Sequence, residues 1–193
     1  MLDDSRVGIV AYGSLLAPDA LRDLFDGVSD RITPVTVSGF QRRFDQAASW
    51  RETDGRHCAV LNVAPGGDNW FNGLFVGDIT RPEFQQFRQR ERGYRLVEVT
   101  AEELEPYSHT EATGPIATLD DAALTDHDLV LTTVGTKTDS EILPVDSYVD
   151  RCLSGAARWG EEFHQEFRST TMVNTGETLG DYLAPDETSG RQD

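Results

Sequence analysis

The chain has 193 residues, in which 34 acidic side chains oppose 17 basic ones and give a net charge of −17. This charge argues against nucleic acid as a partner, because a phosphate backbone needs a basic face. No apolar run approaches the roughly 20 residues of a membrane helix, and the N-terminus lacks a signal-peptide pattern. We therefore expect a cytoplasmic protein without a membrane partner.

The acidity itself is typical of a halophilic protein, since Lys137 is the sole lysine and the acidic residues are spread along the chain. In concentrated salt the Debye length is about 3 Å at 1 M, which screens the self-repulsion of such a surface. An acidic partner-binding protein is the rival interpretation. Cys58 and Cys152 are too few for a disulfide framework or a zinc site, so we expect reduced cysteines and no metal.

The predicted elements describe a mixed protein with more strand than helix. Strands are predicted near residues 7–12, 31–44, 58–64, 70–78, 94–99 and 129–135, and helices near 18–26, 82–92 and 145–168. Most strands alternate apolar and polar residues, and residues 65–69 form a ready turn between the third and the fourth. The pattern favours an α+β protein with a mixed or antiparallel sheet, in one domain over residues 1–183.

The first strand runs into a small-residue turn, Gly13, Ser14 and Leu15, before Pro18 opens a helix. A strand, a tight turn and a helix start bring unpaired backbone N–H groups together, and such a concavity binds anions. Gly13 allows a ligand to approach the main chain, and the Ser14 hydroxyl adds a donor or acceptor. A Gly-Ser turn after a strand is also common for purely structural reasons, so both interpretations stay open here.

The helix predicted over residues 82–92 carries one acidic residue where an apolar one is expected. Gly93 ends it, and Phe84, Phe87 and Glu91 share a face, because position 91 lies roughly 20° from position 84 at about 100° per residue. A carboxylate on an apolar face is costly, and burial raises its pKa, which suits a general base near neutral pH. The sequence therefore marks Glu91 as a candidate catalytic residue.

A structural alternative stays open for this carboxylate. Glu91 lies at the last turn of the predicted helix, where Arg88, Arg92 and Arg95 are all close in sequence and could pair with it. In that interpretation Glu91 has no role in chemistry.

The C-terminal half adds three expectations. The acidic, loop-like segment 105–128 could cover a pocket as a lid, with a solvated connection as the alternative, and residues 184–193 are predicted to be a disordered tail. The last long helix carries an apolar stripe that we interpret as core. The stripe consists of Tyr148, Cys152, Ala156, Trp159, Phe163 and Phe167.

Two motifs in this order resemble the γ-glutamylcyclotransferase superfamily, with its ChaC-like and AIG2-like members. They are Tyr12-Gly13-Ser14-Leu15 and Glu91-Arg92-Gly93-Tyr94, with Gly39-Phe40-Gln41-Arg42-Arg43-Phe44 and Phe71-Asn72-Gly73-Leu74-Phe75 between them. The resemblance runs from about residue 7 to residue 99 and resumes in the last helix. It implies a small mixed, mainly antiparallel β-barrel with flanking helices.

The resemblance also implies roles for residues. In that family the Y-G-S-L loop binds the γ-glutamyl group through backbone amides, and a glutamate in an R-E-x-G-Y context is the catalytic base. Those roles carry over to Tyr12, Gly13, Ser14 and Leu15, and to Glu91. Tyr94 and Tyr148 are candidate substrate-binding hydroxyls, with core packing as the alternative for Tyr148.

The implied activity is cyclisation of a small γ-glutamyl substrate to 5-oxoproline, without a cofactor or a metal. The chain has Ser49-Trp50-Arg51-Glu52 where ChaC-like sequences usually have His-Arg-Gly, and a single Gly93 where many have two. The leaving group, and with it the substrate, therefore stays open. The candidate substrates are glutathione, γ-glutamylcysteine, other γ-glutamyl amino acids, γ-glutamyl amines and carrier-linked glutamyl groups. The alternative of another class is a non-catalytic relative that binds a γ-glutamyl or similar small ligand.

Overall fold

The computed structural model of the protein describes residues 5–53, 56–107, 124 and 126–184, with the backbone alone described within 49–57. Its strands are β1 Val7–Ala11, β2 Ile32–Thr53, β3 Arg56–Val76, β4 Tyr94–Glu98, β5 Leu104–Pro106, β6 Leu129–Gly135 and β7 Thr171–Met172. Its α-helices are α1 Pro18–Arg22, α2 Arg81–Arg90, α3 Asp146–Ala156, α4 Glu161–Thr170 and α5 Leu179–Tyr182. Short 3₁₀ turns lie at Gly13–Leu16, Val28–Asp30, Ala101–Glu103 and Ala157–Trp159.

The strands form one sheet in the order β4-β6-β1-β3-β2-β5, with β7 beside β2. The β1–β6 and β2–β7 pairs are parallel, and the other pairs are antiparallel. This confirms the predicted α+β class and the mainly antiparallel sheet with flanking helices. The predicted barrel is wrong, because the sheet is open. Strand β5, at one edge, has three residues and pairs only with β2 in the described chain, so it does not pair with β4 at the other edge.

The turn predicted at residues 65–69 is also wrong, because the chain does not reverse there. Ser38 pairs with Trp70 and Phe40 pairs with Pro65, so β3 continues along the same neighbour in the same antiparallel sense on both sides. The intervening residues form an extra loop within the strand, a wide irregularity of the kind that bulges introduce. The strands predicted at 58–64 and 70–78 are therefore one strand.

The helix predicted over residues 145–168 is two helices. Gly160 separates them with φ 114° and ψ 161°, a backbone conformation that L side chains rarely adopt, so the chain changes direction at this glycine. The apolar stripe nevertheless continues across the break. All six predicted members are buried: Tyr148, Cys152, Ala156, Trp159, Phe163 and Phe167.

A fully buried arginine joins this C-terminal region to the sheet. The Arg42 guanidinium donates to Asn72 O at 2.7 Å, Asn72 Oδ1 at 3.0 Å and Phe167 O at 3.1 Å. It also donates to the hydroxyls of Thr171 at 2.7 Å and Thr170 at 3.0 Å. The ring of Phe167 lies 3.9 Å from its central carbon, which adds a cation–π contact.

A buried carboxylate holds the start of α2 in place. Glu83 accepts hydrogen bonds from Thr80 N at 2.8 Å and Asp26 N at 2.9 Å, and it pairs with Arg31 at 2.6 Å. The bond from Thr80 N belongs to a capping box, in which the Thr80 side chain in turn accepts from the backbone of Glu83, and the Thr80 hydroxyl also donates to the carboxylate at 2.7 Å. These contacts connect α2 to the turn before β2 and so orient the helix that precedes Glu91.

Replacing Glu83 with glutamine is expected to lower the free energy of unfolding by about 1–3 kcal/mol at neutral pH, because buried charge-assisted hydrogen bonds are lost. Burial alone would raise the pKa of Glu83, but the hydrogen bonds from Arg31 and Thr80 outweigh it and lower the pKa below the ordinary value of 4.5. Its stabilisation is therefore complete above pH 4.5 and disappears as the pH falls through the lowered pKa.

Denaturant unfolding from neutral to acid pH measures this effect. The wild type and Glu83→Gln should differ at neutral pH and converge in acid, whereas a constant difference would contradict the ionic origin. Glu103→Gln is the matched control, because Glu103 forms the same capping box with Thr100 at the protein surface. Its effect should be smaller than that of Glu83→Gln.

Two predictions fall on segments outside the described residues. Residues 108–123 and 125 of the predicted lid, and residues 185–193 of the predicted tail, are not described, so both stay predictions. The single-domain assignment over 1–183 likewise stays a prediction. None of the described helices has the length and apolar character that a bilayer crossing demands.

Candidate active site

A cavity of about 370 Å³ lies where the end of β1, the end of α2, strands β3, β4 and β6, and helix α3 meet. Of the seven predicted site residues, six line it: Tyr12, Ser14, Leu15, Glu91, Tyr94 and Tyr148. Gly13 is not among the lining residues. The cavity thus brings together three segments: the turn after β1, the end of α2 about 80 residues later, and α3 about 50 residues after that.

The turn after β1 has a backbone conformation that its sequence explains. Tyr12 is extended, and Gly13 adopts φ 66°, which favours glycine. A Cβ atom at Gly13 would lie 3.1 Å from Leu61 Cδ1 and 3.5 Å from Tyr148 Oη, so glycine also allows this close packing. In the 3₁₀ turn Gly13–Leu16 that follows, Leu15 N donates to Tyr12 O at 3.4 Å, and no side chain among the described residues caps the turn, which leaves the N–H groups of Gly13 and Ser14 available to a ligand.

Glu91 is the C-cap of α2, and its N–H donates to Phe87 O at 2.9 Å. Its side chain is 14% exposed, and its Oε1 lies 3.3 Å from Nε of Arg90. Burial raises the pKa of Glu91, and the nearby Arg90 offsets this only in part. The residue that pairs with it is therefore Arg90 instead of any of the three arginines considered from the sequence.

The turn after Glu91 is held by side chains from β2 and from the residue that follows β6. Tyr94 N donates to Glu91 O at 2.9 Å, and the Thr136 hydroxyl donates to Gly93 O at 2.8 Å. Gln46, which is buried, reaches the same Gly93 carbonyl with its amide at 3.4 Å. These contacts fix the backbone immediately beyond the carboxylate.

Three buried tyrosines form much of the cavity wall. Tyr12 Oη donates to Thr133 O at 2.7 Å, and Tyr94 Oη donates to Leu61 O at 2.8 Å. Tyr148 Oη accepts from Leu61 N at 3.4 Å. Burial raises the pKa of all three hydroxyls, so they are neutral at physiological pH. Tyr12 and Tyr94 thus donate their protons to backbone carbonyls, and Tyr12 Oη also accepts from the Thr133 hydroxyl at 3.2 Å.

Several lining residues were not identified from the sequence. Arg151 lies three residues after Tyr148 on α3, a spacing that puts both on one helix face, so the pattern contained a signal for it. Leu61 and Thr133 are ordinary strand residues without such a signal. Within the described residues, no group of three or more His, Cys, Asp or Glu side chains is arranged to hold a metal ion.

No family model and no curated protein matches the sequence. Solved structures do match the fold. A structure described as γ-glutamyl cyclotransferase is 11% identical, with a TM-score of 0.60, over 97% of this chain and 94% of that one. An uncharacterized protein from Homo sapiens, loc79017, is 12% identical, with a TM-score of 0.59, over 98% and 95%.

A third structure is a γ-glutamyl cyclotransferase specific to glutathione from yeast. It is 16% identical, with a TM-score of 0.54, over 93% of this chain and all (100%) of that one. At these identities the likeness is one of fold: the protein has the γ-glutamyl cyclotransferase-like fold.

Proposed function

We propose that the protein is a γ-glutamyl cyclotransferase, which closes the γ-glutamyl group of a small peptide or amine to 5-oxoproline and releases the remainder. One observation carries the proposal: a mostly buried carboxylate, Glu91, borders the same cavity as Ser14 and Leu15 of the turn Gly13–Leu16. The fold shared with proteins described as cyclotransferases supports it.

The reaction is intramolecular, because the substrate's own α-amine attacks its own γ-carbonyl carbon. A C–N bond forms within the five-membered ring, and the C–N bond to the leaving group breaks. The protein mainly has to hold the glutamyl chain in the attacking conformer, and such orientation can contribute several kcal/mol. The buried cavity wall of Tyr12, Tyr94 and Tyr148 restricts the chain in this way.

Glu91 moves the proton. The substrate α-ammonium has a pKa of roughly 8, so at neutral pH it must lose a proton before or during attack. The carboxylate takes this proton and then donates it to the departing nitrogen, which leaves the enzyme unchanged. A pKa above the ordinary value of 4.5 brings the group closer to the pH at which it works.

The turn after β1 binds negative charge. Its N–H groups hold either the α-carboxylate of the glutamyl group or the oxyanion that forms on the attacked carbonyl. The Tyr94 hydroxyl, whose proton is donated to Leu61 O, accepts from the α-ammonium before that group loses its proton. Since the substrate supplies the nucleophile and Glu91 transfers the proton, the proposed reaction uses no cofactor.

Release of 5-oxoproline, measured by mass spectrometry, tests the proposal. The wild type is incubated in molar KCl, which suits the acidic chain, with glutathione, γ-glutamylcysteine, γ-glutamylalanine and γ-glutamylethylamine. We expect 5-oxoproline from at least one of these substrates in amounts equal to the released group. No release by folded protein would contradict the proposal, and a raised melting temperature without release would favour the ligand-binding alternative.

A further inference from the structure

The charge around the cavity is the reverse of the charge of the chain. Acidic residues outnumber basic ones 34 to 17 overall. Of the charged residues described as lining the cavity, in contrast, three are arginines and one is acidic: Arg90, Arg92, Arg151 and Glu91. The single carboxylate of the cavity can balance only one of the three arginines. Such a local excess of positive charge in an acidic protein indicates a negatively charged ligand.

Two of these arginines form no ion pair with the residues that the structure describes. Arg90 pairs with Glu91. Arg92 and Arg151, in contrast, make neither an ion pair nor a hydrogen bond with any residue in the part of the chain that the structure describes. Both are exposed, whereas the tyrosines and Leu61, which also line the cavity, are buried. The arginines therefore lie at the mouth.

Helix α3 gives Arg151 a fixed position at this mouth. Its neighbours on the inner face, Tyr148 and Cys152, are buried, and Tyr148 is bonded to the backbone of Leu61. Arg92 follows Glu91 in the turn before β4, so it reaches the cavity from a different element. An anion at the mouth would thus meet one guanidinium on a helix and a second on a turn.

The two halves of a γ-glutamyl substrate have different places in such a cavity. The reacting glutamyl half has to reach Glu91 and the turn after β1, in the buried part. The leaving group then points to the mouth, through which it departs. We propose that Arg151, assisted by Arg92, is a specificity-determining residue that binds a carboxylate on the leaving group. This inference rests on the proposed function, and it favours γ-glutamyl amino acids and peptides over γ-glutamyl amines.

The rival assignment is that Arg151 binds the α-carboxylate of the glutamyl half. Every γ-glutamyl substrate has that group, so the rival predicts equal losses for all substrates when Arg151 is changed. Our assignment predicts a loss only for substrates whose leaving group carries a carboxylate. In molar salt the Debye length is about 3 Å, so only direct contact, and not long-range attraction, can produce this preference.

The substrates γ-glutamylalanine and γ-glutamylethylamine separate the two assignments, because they differ only in the leaving-group carboxylate. The value of kcat/KM is measured for both with the wild type, Arg151→Gln, Arg92→Gln and Arg151→Lys. Arg158→Gln is the matched control, since Arg158 is an exposed arginine of the following 3₁₀ turn that does not line the cavity.

We expect Arg151→Gln to lower kcat/KM for γ-glutamylalanine about five- to tenfold, mainly through KM, and to leave γ-glutamylethylamine within about twofold. Arg151→Lys should keep part of the preference, and Arg92→Gln should lower it less. Equal losses for both substrates, or a wild type that does not discriminate between them, would overturn the proposal. General damage to the fold cannot imitate the expected result, because it would affect both substrates.

The arginine site can be tested even if the protein proves not to be a cyclotransferase. If the wild type turns over neither substrate, the same pair is compared by the shift in melting temperature that each compound produces. A shift that needs the carboxylate, that Arg151→Gln removes and that Arg158→Gln retains supports the arginine site in a binding protein. A shift that is equal for the two compounds, or absent for both, contradicts it.

Discussion

Replacing Glu91 with glutamine is expected to lower kcat by about 10²- to 10⁴-fold, the range that a general acid or base contributes. The amide is nearly isosteric with the carboxyl group, but it cannot take a proton from the α-ammonium. Release of 5-oxoproline under saturating substrate measures the loss. Glu98→Gln is the matched control, because Glu98 is an exposed carboxylate of β4 outside the cavity, and it should leave kcat unchanged.

The same substitution should not destabilise the fold. Burial raises the pKa of Glu91, so ionisation disfavours the folded state at every pH above the ordinary value of 4.5. Glu91→Gln removes this penalty, and its melting temperature at neutral pH should equal or exceed that of the wild type. The difference should vanish as the pH falls below 4.5. In the activity measurement, equal kcat values for Glu91→Gln and the wild type would remove Glu91 from the proposed mechanism.

Replacing Arg42 with methionine is expected to lower the free energy of unfolding by about 3 kcal/mol or more, because several buried acceptors lose their donor at once. Those acceptors belong to Asn72, Phe167, Thr170 and Thr171, so the change loosens the contact between the sheet and α4. Burial lowers the pKa of Arg42 to about 9, which leaves it protonated at neutral pH.

Denaturant unfolding at one fixed KCl concentration measures this loss. Arg95→Met is the control, since Arg95 is an exposed arginine of β4, and its effect should stay within about 0.5 kcal/mol. Arg42→Lys should fall between the two, because an ammonium keeps the charge but cannot donate along the fork of a guanidinium. A loss below about 1 kcal/mol for Arg42→Met would contradict the assigned role.

Local patterns in the sequence predicted some features well. The apolar stripe of residues 148–167 predicted six buried positions correctly, because a helix presents residues at fixed angular spacing whatever surrounds it. Pro82 and Gly93 placed Glu91 within one residue of the end of α2, because proline favours the first helical positions and glycine the position after the last. The break at Gly160 was not predicted, since a glycine alone does not state whether its backbone leaves the helix.

Pairings between distant segments were harder to predict. The stretch 65–69 has the composition of a turn, yet β3 continues through it, because both of its flanks pair with β2. Closure of the sheet was also misjudged. Whether β5 reaches β4 depends on strand lengths and twist across the whole sheet, and no local pattern of the sequence contains this information.

The sequence by itself determined the acidic charge, the α+β class, the core face of the last helices and the two motifs that now border one cavity. Only the tertiary structure decided that Arg90 is the partner of Glu91, that Arg92 and Arg151 lie at the cavity mouth, and that the sheet stays open. The physical reason is the range of the interactions. Periodicity states which face of an element is buried, but packing across the chain decides which faces meet and which charges remain without a partner.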